Sequence, residues 1–456
     1  MTPNSMSFFQ KADWVGFYVT SLLAFAVYLF TLSPENDLNF SGIFATSAMY
    51  LGVSNPPAYP VWTVYSFLFV KLLPIFNIAW RVGVATAFAS ALTCGLIALM
   101  VSRIGLLAAE NTHAFTALSA KEQTAFRIVC GAVAGLGLGL DGCYWNMAVV
   151  ANQWNFNVFL FALTLCLLSR WFFAPEQKRY LYLAALMQGL ILSDSQALFP
   201  TALALPFLVA LGNPNLGRQI FFLLTLSFWS FMALNDHFYW FEFGSSNSTE
   251  MSTHNFELGV TMLVMLVWII LWAVTRKFFS EWKTTILCVC LLLAGISTYF
   301  LLSIFSMADP PMNWGYPRTV EGFFHVAGRG QYGKSGYVEN LQDLLIQWTI
   351  YGKIAKAEFG IVYLAAALIP LFFLHKMPLL VRKWILGLVT VWFLISQLML
   401  MALNLSPDKS TYELNELFFS ATHFVLALLA GCGFMLAGVR CVCLFRAHPA
   451  GNEIRA

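Results

Sequence analysis

The sequence predicts an all-α, polytopic membrane bundle of about twelve transmembrane helices. Three observations carry that expectation. Of 456 residues, 59% are hydrophobic and only 10% charged, against about 25% charged in a soluble domain. Apolar runs long enough to cross ~30 Å of hydrocarbon recur along the chain. The 43 Phe and 15 Trp suit lipid-facing and interfacial surfaces. Residues 1–456 read as one integral membrane domain, expected in a bacterial inner membrane.

The first apolar run, 14–32, has no small-residue cleavage site after it, so it reads as a retained helix rather than a signal peptide. Further spans are expected near 82–103, 126–140, 150–172, 180–194, 196–212, 218–235, 258–275, 284–306, 359–375, 384–404 and 417–439. The stretch 56–76, PPAYPVWTVYSFLFVKLLPIF, is apolar enough to be another, and it sets the parity of everything after it. Basic residues decide the matter. With 56–76 lying on the outer surface as a juxtamembrane helix, most of the 25 Lys and Arg fall in inner loops and most of the 22 Asp and Glu outside. Both termini are then cytoplasmic. Residues 33–81 become a first outer loop with juxtamembrane helices, and 307–358 a large outer loop. Segments 141–152, 236–257 and 405–416 share that side.

The large loop contains MADPPMNWGYPRTVEGFFHVAGRGQYGKSG. Its Pro and Gly residues break any simple helix. Arg318, His325, Arg329 and Lys334 alternate with Trp314, Tyr316, Phe323, Phe324 and Tyr332. Arginines bind phosphate oxygens through charge-assisted hydrogen bonds, and aromatics lie at headgroup depth. The set suits a lipid-linked phosphate. On residue types alone, an interfacial loop with snorkelling side chains is the better bet.

Three outer turns place carboxylates at helix ends: Glu35 and Asp37 in the first loop, Asp141 in LDGCYWNMAVVANQWNFN, and Asp194 in LSDSQ. Ionisable groups at membrane depth are expensive and point to function. If the turns converge, a carboxylate there can act as general base toward a hydroxyl acceptor or hold a divalent cation. The competing reading is helix capping, even odds for Asp194 before the helix from Gln196 and somewhat favoured for Asp141. His423 reads as a satisfied helix histidine. Most of the nine cysteines lie inside apolar runs, and no disulfide framework or metal spacing emerges. Cys441 and Cys443 are more readily inert than palmitoylated. Asn39, Asn247 and Asn404 open glycosylation sequons, which matter only in an ER lumen. No P-loop, dinucleotide fingerprint or zinc motif occurs, and no nucleic-acid partner is expected.

Four segments, in order, resemble a known pattern: LGVSNPPAYP, NIAWRVGVATAFASALTCGLIALMVSR, YWNMAVVANQWNFNVFLFAL and PPMNWGYPRTVEGFFHVAGRGQYG. They look like a polytopic membrane domain family of unknown function, which includes uncharacterised bacterial proteins and an animal protein O-mannosyltransferase. That family is similar to the C-type membrane glycosyltransferases. The resemblance runs from residue 14 to about 440. It implies a cavity at the outer face, a polyprenyl-phosphate-linked sugar as donor and a protein or lipid hydroxyl as acceptor. It also implies a first-loop carboxylate that helps the attack, and Arg329, ahead of Arg318 and Lys334, on the departing phosphate. The family's first loop usually reads Asp-Ser-Gly-Glu; here Phe40-Ser41-Gly42-Ile43 stand there. Its Glu-Val-Tyr aligns with Asn152-Gln153-Trp154, and its Asn-His-His turn with Ser193-Asp194-Ser195. The usual mechanism therefore does not carry over at Phe40, Ile43 or Asn152.

Two readings follow. One is an active glycosyltransferase in which Asp37, Asp141 or Asp194 replaces the missing acids. The other is a catalytically degenerate relative that binds a polyprenyl lipid or a partner without turnover. A transporter is distant, because nearly all charges sit at helix ends.

Overall fold

The computed structural model describes residues 8–37, 40–110, 113–116, 118–238, 247–276, 280–332, 337–338, 340–405 and 415–447, without the side chains of 113–114, 234–238, 247–254, 443 and 445–447. The described chain is helical apart from one isolated bridge between Val53 and Asn313. In order the helices are α1 Lys11–Phe30, α2 Ser41–Tyr50, α3 Pro60–Leu72, α4 Ile78–Ala109, α5 His113–Thr116 and α6 Ala120–Gly139. Then come α7 Gly142–Ala148, α8 Trp154–Phe173, α9 Lys178–Asp194, α10 Pro200–Gly212, α11 Pro214–Phe238 and α12 Asn247–Thr275. The last six are α13 Trp282–Ile296, α14 Leu301–Met307, α15 Val320–Ala327, α16 Leu341–Phe372, α17 Leu379–Leu403 and α18 Ser420–Ala447. This is an all-α, multi-pass membrane bundle.

Nine helices among the described residues are long and apolar enough to cross a membrane, or ten if α6 and α7, which meet at 75°, form one broken span. The sequence leads one to expect about twelve. Every expected position carries helix, but α9 has 17 residues and α10 has 13. At 1.5 Å per residue these reach only about 25 and 20 Å, less than the ~30 Å hydrocarbon core. The ambiguous stretch 56–76 is also short: α3 has 13 residues, in keeping with a juxtamembrane element.

Burial sorts the helices. The apolar window of α4 is 89% buried, while that of α12 is 11% buried. The first is the centre of the bundle, packed on α1, α6, α8 and α18; the second lies at the periphery, packed mainly on α11. Small residues set the closest approaches, as membrane packing favours. A Cβ on Gly189 of α9 would lie 2.2 Å from the Leu292 carbonyl of α13. At one end of α6, Arg127 Nη2 donates to Asp13 Oδ1 at 2.6 Å, and Ser102 donates to the same oxygen. Both charges are buried, so this ion pair ties α1, α4 and α6 together.

The large loop departs from expectation in one respect. Helix begins well before residue 359, because Asn340 accepts from Asp343 N at 2.8 Å and caps α16. The helix buries Gln347, Ile350, Tyr351, Ile354 and Ala355 on one face. It breaks at Gly360, with φ 69° and ψ 168°, a conformation reached almost only by glycine.

Candidate functional site

The first loop and the large loop, more than 250 residues apart in sequence, are stapled together. Val53 N donates to the Met312 carbonyl at 2.8 Å, and Trp314 N to the Val53 carbonyl at 3.0 Å. Asn55 Nδ2 donates to the Tyr332 hydroxyl at 3.2 Å. Beneath them Val53, Ala58, Leu302, Phe305 and Val326 form a separate apolar cluster. Gln196 Nε2 donates to the Ala327 carbonyl at 2.6 Å, adding the turn after α9 to the same assembly. Leu51, Ala58, Tyr59, Tyr316 and Arg329 all have positive φ without being glycine. Such conformations persist only where the surroundings over-determine them, and here they concentrate in the two stapled loops.

Asp194 sits at the heart of this junction. It is fully buried. Its Oδ1 accepts from Val61 N at 2.9 Å and Trp62 N at 3.1 Å, so it caps α3 across space rather than the helix that follows it in sequence. Pro60 at the start of α3 has no N–H to offer, which leaves the next two amides to bind the carboxylate. Oδ2 is buried without a hydrogen-bond partner, and the Asn157 side chain lies beside the carboxylate. Tyr59, buried in the same turn, faces Asp194, Arg329 and Tyr332. Burial pushes its hydroxyl well above the ordinary phenol range, while the Arg329 guanidinium pulls the other way. Arg329 is exposed and lies over the Tyr332 ring at 4.7 Å. A buried carboxylate and an exposed guanidinium thus both act electrostatically on Tyr59.

Asp141 belongs to a different neighbourhood. Its Oδ1 caps α7, accepting from Cys143 N at 3.0 Å and Tyr144 N at 3.4 Å. Its Oδ2 is 3.4 Å from His423 Nδ1. Glu358, just before the Gly360 break, reaches Asp141 and accepts from Cys143 N at 3.2 Å. His423 is therefore paired through one ring nitrogen, while its Nε2 is buried and unpartnered. Among the described residues, no group of three or more His, Cys, Asp and Glu side chains is arranged to hold a metal ion.

The remaining expected residues fall as follows. Asp37 is half-buried, and its N–H donates to Ser41 Oγ at 2.8 Å, which fixes the start of α2. Phe40 is 54% exposed at the N-cap position of α2 and offers no side-chain cap. Asn152 accepts from Trp154 N at 2.7 Å and donates to Met147 Sδ. Arg318 pairs with Asp309 at 3.5 Å on the surface, near the Tyr316 ring. Trp314 donates to Gln331, and His325 is exposed on α15. Lys334 lies outside the described residues. Sequence reasoning missed Asn157 and Glu358, and it noted Asn55, Tyr59 and Gln153 only as members of motifs, without a role. Of these, Gln153 Nε2, Asn157 Oδ1 and Asn55 Oδ1 are buried and unpartnered. The one available signal was the run of amides in NQWNFN, too many for an ordinary lipid-facing turn.

Fold and site together define an integral multi-pass membrane protein with a polar, aromatic-rimmed junction at one end. Comparison gives that class a direction. Residues 41–215 match a family model described as the Protein O-mannosyl-transferase TMEM260 N-terminal domain. Protein O-mannosyl-transferase TMEM260 of Mus musculus is 26% identical over 161 residues, which is 35% of this chain and 20% of that protein. The match thus spans about a fifth of the relative's length. No solved structure matches.

Proposed function

We propose that the protein transfers a sugar from a polyprenyl-phosphate donor to a hydroxyl acceptor at the outer membrane face, with both termini cytoplasmic. The observation that carries this reading is the junction itself. Two of the four segments of the sequence resemblance are hydrogen-bonded to one another, and the charges of Asp194 and Arg329 both act on Tyr59 within the junction. Arg329 has the donor geometry for phosphate oxygens, and it stands where negative charge grows as lipid phosphate leaves. Asp194, anchored by two amides, is the base of choice for the acceptor hydroxyl. Asp141 and Asp37 are the weaker candidates, Asp141 because His423 and Glu358 already engage it. Arg318, His325, Trp314, Tyr332 and Lys334 are proposed as surrounding contacts to the donor headgroup.

A second reading, lipid binding without turnover, draws on Phe40 and Asn152. An apolar ring stands where an acid is implied, and both ends of the Asn152 amide are engaged in local structure. The test is sugar transfer from labelled polyprenyl-phosphate hexose by the reconstituted protein. Product formation supports the transferase. Saturable donor binding that Arg329→Ala weakens, with no product, supports the binder.

A further inference from the structure

We infer that a narrow crevice beside Asp194 admits the acceptor hydroxyl, with Asn157 and Ser195 as its positioning residues. The inference rests on the transferase reading and deepens it. The crevice lies between the start of α8, the turn after Asp194 and the start of the last helix. Trp154, Leu198, Leu417, Phe418 and Ala421 line it, with Asn157, Ser195 and Ser420 as polar members.

Size, chemistry and position agree. The crevice has room for about one water-sized group, so a sugar ring does not fit but a hydroxyl on a short carbon stub does. Its walls are mainly apolar, suited to that stub and unsuited to a phosphate. In its lining Asn157 Oδ1 is buried without a hydrogen-bond partner, and behind Ser195 and Asn157 lies the Asp194 carboxylate, beside the Asn157 amide, with Oδ2 likewise unsatisfied. Leaving such atoms unpaired is costly, and an incoming O–H is the donor they lack. The Asn157 amide is already oriented to receive it, because its Nδ2 donates to the Gln153 carbonyl at 3.1 Å and so fixes the amide plane. Trp154 packs edge-on against Phe418 at 4.8 Å and narrows the passage. In the transfer step the acceptor O–H gives its proton to Asp194 Oδ2 while its oxygen bonds to the anomeric carbon. The bond from that carbon to the phosphate oxygen breaks, and its electron pair leaves with the lipid phosphate on the Arg329 side.

The test uses the reconstituted full chain, labelled polyprenyl-phosphate hexose, and methanol, ethanol, tert-butanol and methyl glucoside as acceptor probes. The wild type is expected to glycosylate methanol and ethanol but not the two bulkier alcohols. Leu417→Ala, which widens the passage, is expected to gain transfer to tert-butanol, a gain that unfolding cannot mimic. Ala421→Phe, which fills the lining, is expected to raise the KM for ethanol about tenfold while leaving the donor KM unchanged. Identical acceptor profiles in the three proteins, or ready transfer to methyl glucoside by the wild type, overturn this inference alone. A wild type that turns over no donor, even to water, overturns the transferase reading and this inference with it.

Discussion

Replacing Asp194 separates its two jobs. Asp194→Asn keeps an oxygen that accepts from Val61 and Trp62 but cannot take a proton. Its thermal midpoint is expected to stay near the wild type while sugar transfer falls by ~10²–10⁴-fold, the usual weight of a general base. Asp194→Ala loses the cap as well, which costs about 1–2 kcal/mol in thermal unfolding. If both variants are as active as the wild type, the residue is not the base, and if Ala is as stable as Asn, it is not the cap. Arg329→Ala is expected to weaken donor binding by ~10–100-fold, the worth of a charged hydrogen bond, as read from the donor KM. The residue types at these positions are legible in the sequence, but their partners are not. In the sequence Asp194 stands against the next helix in the chain, whereas the amides it binds lie more than 130 residues earlier. Capping is written in short range only when the capped helix follows directly. Asn157 and Glu358 escape notice for a related reason: an amide or acid inside a helix means little until a neighbouring element shows what it faces.

Individual elements are easier to read, since hydrophobic runs of spanning length declare themselves. Every expected span position carries helix. What the runs do not reveal is length at the margin. Hydrophobicity alone counts both α9 and α10 as spans, although the LSDSQ turn leaves each too short to cross alone. Residues 341–358 read as loop because Lys353, Lys356 and Glu358 dilute the apolar run; the structure exposes Lys353 and Lys356 on the less buried side of an amphipathic helix and turns Glu358 toward Asp141. The same element yields a clean prediction. A Cβ on Gly360 would meet nothing within 4 Å, so Gly360→Ala has only the backbone conformation to oppose it. It is expected to lower stability by about 1–3 kcal/mol, measured as a fall in the thermal midpoint in detergent. An unchanged midpoint would mean that the bend between 359 and 361 relaxes without cost.

For the molecule as a whole, the charge asymmetry of the loops makes a topological prediction. Reporter fusions at either end are expected to be active only on the cytoplasmic side, and opposite locations for the two ends would count against the proposed outer position of the junction. The far end of the bundle offers a stability test. Asp13→Ala leaves Arg127 buried without its partner, and removing one member of a buried pair costs about 3–5 kcal/mol. Loss of the folded protein is the expected outcome, with Asp13→Ala/Arg127→Met recovering much of it. Fold class is legible because lipid imposes one solution on the backbone. The site is less so, because it is assembled from loops whose pairing no local pattern encodes.

The Val53–Asn313 bridge also sets an order of events during synthesis. Asp194 meets Val61 and Trp62 once the first half of the chain has been inserted, so the buried carboxylate and its helix are available early. Tyr332 and Arg329 arrive only after some 130 further residues have been made. Through that interval the first loop waits with its turn formed and its partner loop missing. A nascent chain stalled near residue 300 should therefore leave position 55, after Asn55→Cys, open to a small thiol reagent that no longer reaches it once residue 332 has emerged.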